Sequence, residues 1–119
     1  MKPINVKEKL DLFNDLWSPK VIGELNGQQV KLAKVKGEFV WHDHANEDEL
    51  FYVLKGTLNI EFRDKTVALN EGEMLVVPKG VEHKPFAEEE AWVMLFEPKS
   101  TKHTGDVQHE LTVEDCEKI

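Results

Sequence analysis

The chain has 119 residues, enough for one domain with a sizeable core and too few for two domains of ordinary size. Its composition is 40% hydrophobic and 32% charged, as in soluble globular proteins, and its formal net charge of -8 disfavours nucleic acid and anionic membranes as partners. The single cysteine, Cys116, permits no intrachain disulfide, and residues 1–17 lack the apolar core of a signal peptide. The sequence predicts a cytoplasmic protein.

The N-terminal segment, residues 1–20, predicts one short amphipathic helix. Asn5 followed three residues later by Glu8 is typical of a capping box, and Pro19 would end the helix. The apolar side chains recur at helical spacing, at Val6, Leu10, Phe13 and Trp17.

Residues 21–98 alternate between apolar and polar side chains and predict short strands. Asn26-Gly27 suits a tight hairpin between Val21–Leu25 and Gln28–Val35. One helix and many short strands predict an all-β sandwich or barrel, followed by a polar arm over 99–119 that packs on the barrel or on a second subunit. The other predicted strands are Thr57–Phe62, Val67–Leu69, Met74–Val77, Val81–Pro85 and Ala91–Phe96.

Two histidines stand out in the next predicted strand. His42 and His44 are two residues apart, so both imidazoles project from the same face and can converge on one ion. A His-x-His pair by itself is more often a pair of polar side chains on the solvent face. Asp43 lies between them and should face the other way.

Glu49 is the acidic residue that begins a strongly apolar strand. It shares a face with Phe51 and Val53, so it is expected to be buried, where a carboxylate needs a metal ion or a hydrogen-bonded partner. The competing carboxylates, Glu47 and Asp48, are expected to be solvated loop charges.

The second half of the pattern is a turn followed by a histidine. Pro78, Lys79 and Gly80 predict a β-turn that directs His83 back towards the interior.

Together these residues resemble the cupins, small antiparallel β-barrels of the jelly-roll kind. Two departures are seen: the interval from Gly37 to His42 is one residue short, and Ala87 replaces an asparagine often found there. The matching positions are Gly37, His42, His44, Glu49 and Gly56 in the first half and Gly72, Pro78, Gly80 and His83 in the second.

The resemblance implies one cupin domain that holds a single divalent transition metal ion with three histidines and one glutamate. Imidazole and carboxylate ligands suit Zn, Mn, Fe, Ni, Co or Cu, whereas Ca prefers ligands that are all oxygen. His103 and His109 lie in the polar arm and are expected at the surface. The predicted metal ligands are His42, His44, Glu49 and His83.

Two classes of function remain open for such a chain. The first is a metal-dependent isomerase, dioxygenase or lyase that binds a small oxygen-bearing ligand; the second is a non-catalytic small-molecule or metal-binding module. Tyr52 and Glu38 are expected to face away from the cavity, and they would reach it only if the alternation of their strands were shifted by one residue. Apart from Lys79 and Lys84, no cluster of basic residues lies beside the pattern, which disfavours a phosphorylated substrate. No catalytic residue can be assigned.

The walls of the cavity and the oligomeric state are two further expectations. Pockets are mostly apolar, and the expected lining is Phe51, Val53, Phe86, Met94 and Phe96. Phe39 and Trp41 are expected on the outer face, where they would meet water, and the sequence therefore predicts a homodimer.

Overall fold

The computed structural model describes residues 1–99, 101 and 116–119. Its elements are one helix, α1 (Val6–Leu10), and eight strands, so the predicted all-β class with one short helix is confirmed. The strands are β1 (Lys20–Leu25), β2 (Gln28–Glu38), β3 (Glu49–Lys55), β4 (Leu58–Phe62), β5 (Thr66–Leu69), β6 (Met74–Val77), β7 (His83–Pro98) and β8 (Glu117–Lys118).

The first hairpin forms where the sequence predicts it. Leu25 pairs with Gln28, and the two turn residues between them have positive φ angles, 49° at Asn26 and 76° at Gly27. This backbone twist matches the right-handed twist of the two strands, which is why an Asn-Gly pair favours the turn.

The longest strand corrects the sequence prediction. Val81–Pro85 and Ala91–Phe96 were expected to be separate strands, but β7 runs without a break through the charged stretch 88–90. It pairs with β2 along most of its length, and on its other edge with β4 near His83 and with β3 near Trp92. The strand has partners on both edges on either side of residues 88–90, where its pairing with β2 shifts register, and local composition does not reveal these partners.

The sheet follows the order β5-β4-β7-β2-β1-β8, with β3 and β6 attached through β7. Among the described residues this path does not close into a ring. β7 pairs with β2, β3 and β4, so it links the strands that lie along its two edges.

The helix is shorter than predicted. Asn5 caps it by accepting a hydrogen bond from the backbone N–H of Glu8 (3.0 Å), but α1 ends at Leu10. Trp17, expected on the same helix, instead has a φ of 57° and donates its backbone N–H to Lys34 (2.9 Å). Such a left-handed backbone costs a non-glycine residue about 1–3 kcal/mol, which the contacts with β2 must offset.

The core lies between the strands and follows their alternation. In β7 the side chains of residues 88–90 are exposed. On either side of this stretch the odd-numbered side chains are buried and the even-numbered ones are half-buried. The expected cavity lining is therefore half wrong: Phe51 and Val53 are buried inside, whereas Phe86, Met94 and Phe96 lie on the opposite face.

The chain returns to the sheet at its C-terminal end, where Lys20 and Val21 of β1 pair in parallel with the two residues of β8. Of the arm predicted over 99–119, only residues 99, 101 and 116–119 are described; His103 and His109 lie outside the described residues. No helix among the described residues is long and apolar enough to cross a membrane.

Candidate metal centre

Backbone contacts join the two halves of the sequence motif beside the candidate ligands. His42 and His83 form an isolated antiparallel bridge, with N–H to O=C distances of 3.0 Å and 2.9 Å. Residues 39–48 are otherwise outside the strands, so the strand expected around the two histidines is reduced to this bridge. The side chains still alternate between the two faces as predicted: His42 and His44 are buried, and Asp43 is exposed.

β3 supplies the carboxylate. Glu49 is its first residue and points to the buried side with Phe51 and Val53, as predicted. Its Oε1 lies 3.3 Å from Nε2 of His44 and 3.5 Å from Nε2 of His83. One potential ligand atom from each of the four predicted residues, the three histidines and Glu49, lies within 4.8 Å of the others, and all four residues are buried.

Backbone carbonyls fix the orientation of two of the imidazoles. The Nδ1–H groups of His42 and His83 donate to the carbonyls of Val40 and Val81, each at 2.9 Å. A carbonyl oxygen can only accept, so the proton sits on Nδ1 and the lone pair is left on Nε2. This is how proteins commonly orient histidines that bind metals.

The polar atoms at the centre fit a metal ion. His44 Nε2, His83 Nε2 and Glu49 Oε1 are buried without a hydrogen-bond partner among the described residues. Buried polar atoms are seldom left in this state, because the loss of hydration is then uncompensated. A ligand atom stands about 2.1 Å from an ion such as zinc, so atoms this close can reach one ion after small side-chain rotations.

The imidazoles differ in their affinity for protons. Burial, aided by the nearby His83, lowers the pKa of His42 to about 4, so this ring is neutral at pH 7. Burial also acts to lower the pKa of His44, but contact with Glu49 and its negative charge outweigh it and raise that pKa. His42 is therefore available to a metal ion at neutral pH, whereas at His44 protons compete more strongly with a metal ion for the ring nitrogen.

A second buried carboxyl group lies behind Glu49. Glu97 is fully buried, and its Oε1 accepts a hydrogen bond from Nζ of Lys31 (2.8 Å), which is also buried. Burial and the charge of Glu49 raise the pKa of Glu97 well above its usual value. Burial would raise the pKa of Glu49 too, but its polar contacts with Glu97, His44 and His83 hold it well below the usual value. Of the two carboxyl groups, Glu97 is therefore the one that binds a proton more readily.

Glu97 and Lys31 are not among the site residues predicted from the sequence. The signal was present, since Glu97 has the inward parity of Val93 and Leu95, and Lys31 that of Ala33. The predicted strand ends at Phe96, one residue before Glu97, whereas β7 extends to Pro98.

A cavity of about 40 Å³ opens beside His42 and Glu49. The other side chains that line it are apolar. Trp17 is among them, and the helical prediction for residues 1–20 gave no sign of this. The aromatic and aliphatic lining includes Trp17, Phe39, Phe51, Leu58, Val93 and Leu95.

Other sequence candidates lie away from the centre. Glu38 is exposed and pairs with Lys84 (2.8 Å), and Tyr52 is half-buried on the face opposite Glu49. Asp48 is an exposed loop residue, as expected, and accepts a hydrogen bond from the backbone N–H of Lys79 (2.8 Å). Glu47, the other expected loop charge, is half-buried.

The placement of the two aromatic residues before His42 was partly wrong. Phe39 is buried and packs edge-on against His42, with ring centroids 5.6 Å apart. Trp41 is half-buried, and the Arg63 guanidinium lies 3.7 Å from its ring centroid. These residues therefore no longer support the predicted dimer.

The fold and the cluster define a β-sheet protein with a centre of three histidines and one glutamate. A family model described as "Cupin domain" matches residues 29–99, and the chain belongs to this family. The solved cupin-2 domain protein from Shewanella frigidimarina is 59% identical, with a TM-score of 0.79 over 80% of this chain and 93% of that one. Protein NMB1881 from Neisseria meningitidis is 34% identical, with a TM-score of 0.75 over 82% and 99%. The predicted jelly-roll cupin fold is confirmed.

Two curated proteins are also similar. The uncharacterized protein YdbB of Bacillus subtilis is 47% identical over 80 residues, 66% of this chain and 65% of that protein. The 3-hydroxyanthranilate 3,4-dioxygenase of Xenopus tropicalis is 31% identical over 90 residues, 70% of this chain and 32% of that enzyme. The chain thus spans less than two thirds of either relative.

Proposed function

We propose that this cupin holds one divalent transition metal ion with His42, His44, Glu49 and His83 and binds a small oxygen-bearing ligand beside it. The observation that carries the proposal is the convergence of buried nitrogen and oxygen atoms that lack hydrogen-bond partners. Mixed imidazole and carboxylate ligands favour Zn, Mn, Fe, Ni, Co or Cu. With four protein ligands, an octahedral ion keeps two positions for water or ligand.

The residues of the chain divide the work at such a centre. A bound ion of this type supplies Lewis acidity or oxygen activation. His42 and His83 present Nε2 lone pairs because their Nδ1 protons are held by carbonyls. Glu49 supplies one negative charge, and the apolar wall limits the water that can enter.

Among isomerase, dioxygenase and lyase, the cavity favours the dioxygenase. Isomerases and lyases need a group that moves a proton, and sugars need several polar partners. The described lining offers neither beyond His42 and Glu49, whereas apolar walls suit a ligand with an apolar body. The similarity to the Xenopus dioxygenase supports the same choice. The absence of a separate acid or base equally favours the alternative, a non-catalytic binding module.

The test begins with the metal. The purified protein is loaded with Co(II) or Fe(II), its metal content is measured, and acetohydroxamate, a small bidentate oxygen ligand, is titrated into the cobalt form. We expect one ion per chain and a change in the visible cobalt spectrum, both lost in His83→Ala and both kept in Asp43→Ala. A metal-free protein, or a cobalt spectrum that acetohydroxamate leaves unchanged, would contradict the proposal.

Oxygen uptake then separates enzyme from module. Small ligands that change the cobalt spectrum are incubated with the iron form in an oxygen electrode. Uptake that chelation abolishes supports the dioxygenase, whereas tight binding without uptake supports the module.

We further propose that residues 1–119 act as one cupin domain in the cytoplasm and that the chain forms a homodimer. The dimer proposal now rests on the outer face of β6, where Met74 is 53% exposed and Val76 is 47% exposed. Both side chains neighbour half-buried apolar residues of β3, Leu50 and Tyr52. Exposed apolar side chains next to one another are typical of a contact surface.

A further inference from the structure

We propose that Trp17 sets the size of the ligand that the metal centre accepts. This inference rests on the proposed function and narrows it to compact ligands. A cavity of about 40 Å³ has space for only a few water-sized groups. The ligand would therefore present a short apolar body to the wall and its oxygen atoms to the ion. Trp17 lies outside the residues 29–99 that match the family model.

The ring of Phe39 lies between the indole of Trp17 and His42, a proposed metal ligand. It stacks on Phe39, with ring centroids 4.6 Å apart and planes 13° apart. Phe39 in turn meets His42 edge-on, with centroids 5.6 Å apart and planes at 90°. A ligand too bulky for the cavity would have to displace this stack, and displacing it would disturb His42.

The position of Trp17 is fixed by β2. Its backbone N–H donates to the carbonyl of Lys34 and its Nε1–H to the carbonyl of Lys36, both at 2.9 Å. The preceding residue, Leu16, forms a parallel bridge with Lys34. A tryptophan with a φ of 57° persists only where its surroundings hold it there. The wall is therefore preset and does not depend on the ligand to form.

Two substitutions at this position open the wall to different extents. Trp17→Gly removes the whole indole, and glycine adopts a φ of 57° without strain. Trp17→Leu removes less and keeps an apolar side chain. Trp92 provides the matched control, because it is also half-buried but packs against the helix cluster on the outer face of β7. Trp92→Leu should leave the cavity unchanged.

The first measurement needs no metal. Indole binding to the metal-free proteins is followed by ligand-observed NMR, with circular dichroism to show that each variant is folded. We expect indole to bind Trp17→Gly and neither the wild type nor Trp92→Leu. Should Trp17→Gly fail to fold, benzene replaces indole as the probe of Trp17→Leu. A folded Trp17 variant that binds its probe no better than the wild type overturns the proposal.

The second measurement uses the cobalt form with two hydroxamates that share one chelating group, acetohydroxamate and the bulkier benzohydroxamate. We expect the wild type to favour acetohydroxamate and the preference to fall by about tenfold or more in both Trp17 variants, the scale at which pockets discriminate bulk. An unchanged preference overturns the size limit. If acetohydroxamate leaves the wild-type cobalt spectrum unchanged, the proposed function fails, and the indole measurement still decides whether Trp17 walls the cavity.

Discussion

The carboxyl group of Glu97 is in polar contact with that of Glu49, and the two pKa values move in opposite directions. Two buried carboxylates cannot both be charged at close range without a large cost, so one holds a proton. Of the two, Glu97 has the raised pKa and binds the proton more readily, while its Oε1 accepts a hydrogen bond from Lys31 (2.8 Å). Glu49 then keeps the negative charge that a metal ion needs.

Substitution of Glu97 tests this arrangement. Glutamine has the shape and hydrogen-bonding pattern of a protonated glutamate, so Glu97→Gln should keep the metal and most of the stability. Glu97→Ala leaves the buried Lys31 amino group without its hydrogen-bond acceptor and should cost about 3 kcal/mol in the free energy of unfolding. It should also weaken metal binding by roughly 10-fold to 100-fold, as the loss of a group that orients a ligand does. Metal titration and urea denaturation measure both effects; equal losses in the two variants would show that Glu97 is charged.

The two halves of the motif should depend on each other. His42→Ala and His83→Ala are each expected to abolish most metal binding, because their side chains come from different segments to one centre. Asp43→Ala should leave metal binding nearly unchanged, since Asp43 is exposed. Elemental analysis of the three purified variants measures this. Full metal content in His83→Ala, or its loss in a folded Asp43→Ala, would contradict the proposed ligands.

The metal-free protein should lose stability in acid partly through His42. Its pKa is about 4 in the folded chain, against the ordinary histidine value of 6.5, so the unfolded chain binds the extra proton between these values. The stabilisation is complete above pH 6.5 and is lost as the pH falls towards 4. Between pH 7 and pH 5 the loss should be about 2 kcal/mol.

The metal is removed with a chelator, and the free energy of unfolding of the wild type and of His42→Gln is measured at pH 7 and pH 5. The difference between the two proteins isolates the contribution of His42. The comparison is needed because the raised pKa of His44 acts in the opposite direction. An equal pH dependence in both proteins would argue against a depressed His42 pKa.

Two glycines with the same backbone should tolerate alanine differently. Gly37 and Gly56 both have a φ of 80°, so a side chain strains the backbone at either position. At Gly37 a Cβ would meet nothing within 4 Å, whereas at Gly56 it would lie 3.0 Å from the carbonyl oxygen of Glu90. Gly37→Ala should cost about 1 kcal/mol and Gly56→Ala clearly more. Thermal denaturation of both variants measures the difference, and equal melting temperatures would mean that the strand at Glu90 yields.

The homodimer proposal is tested on the outer face of β6. If Met74 and Val76 are covered by a second chain, Met74→Lys with Val76→Lys should give the monomer mass in light scattering, because two buried charges cannot be accommodated. Leu12→Lys is the control at another exposed apolar residue, which is 65% exposed. A wild type that is monomeric at micromolar concentration would refute the dimer.

The sequence by itself indicated an all-β fold, and its resemblance to the cupins implied the jelly roll and the residues that could form a metal centre. Asn26-Gly27 sets its turn through local φ preferences, and the buried side of Glu49 follows from the alternation of its own strand. The spacing of His42, His44 and His83 carried the family pattern. The turn and the side that Glu49 faces depend on neighbours within a few residues, where the periodicity of the backbone is informative.

Only the tertiary structure decided what surrounds the centre. Alternation tells which side of a strand a residue faces, but the partner across the sheet depends on register. The sequence could not place Lys31 against Glu97, 66 residues further along the chain. Trp17 continued a helical pattern, yet its two N–H groups bond to carbonyls of β2, and the backbone leaves the helix to reach them. Long-range hydrogen bonds outweighed a weak local preference there, because helix propensity is worth less than about 1 kcal/mol per residue.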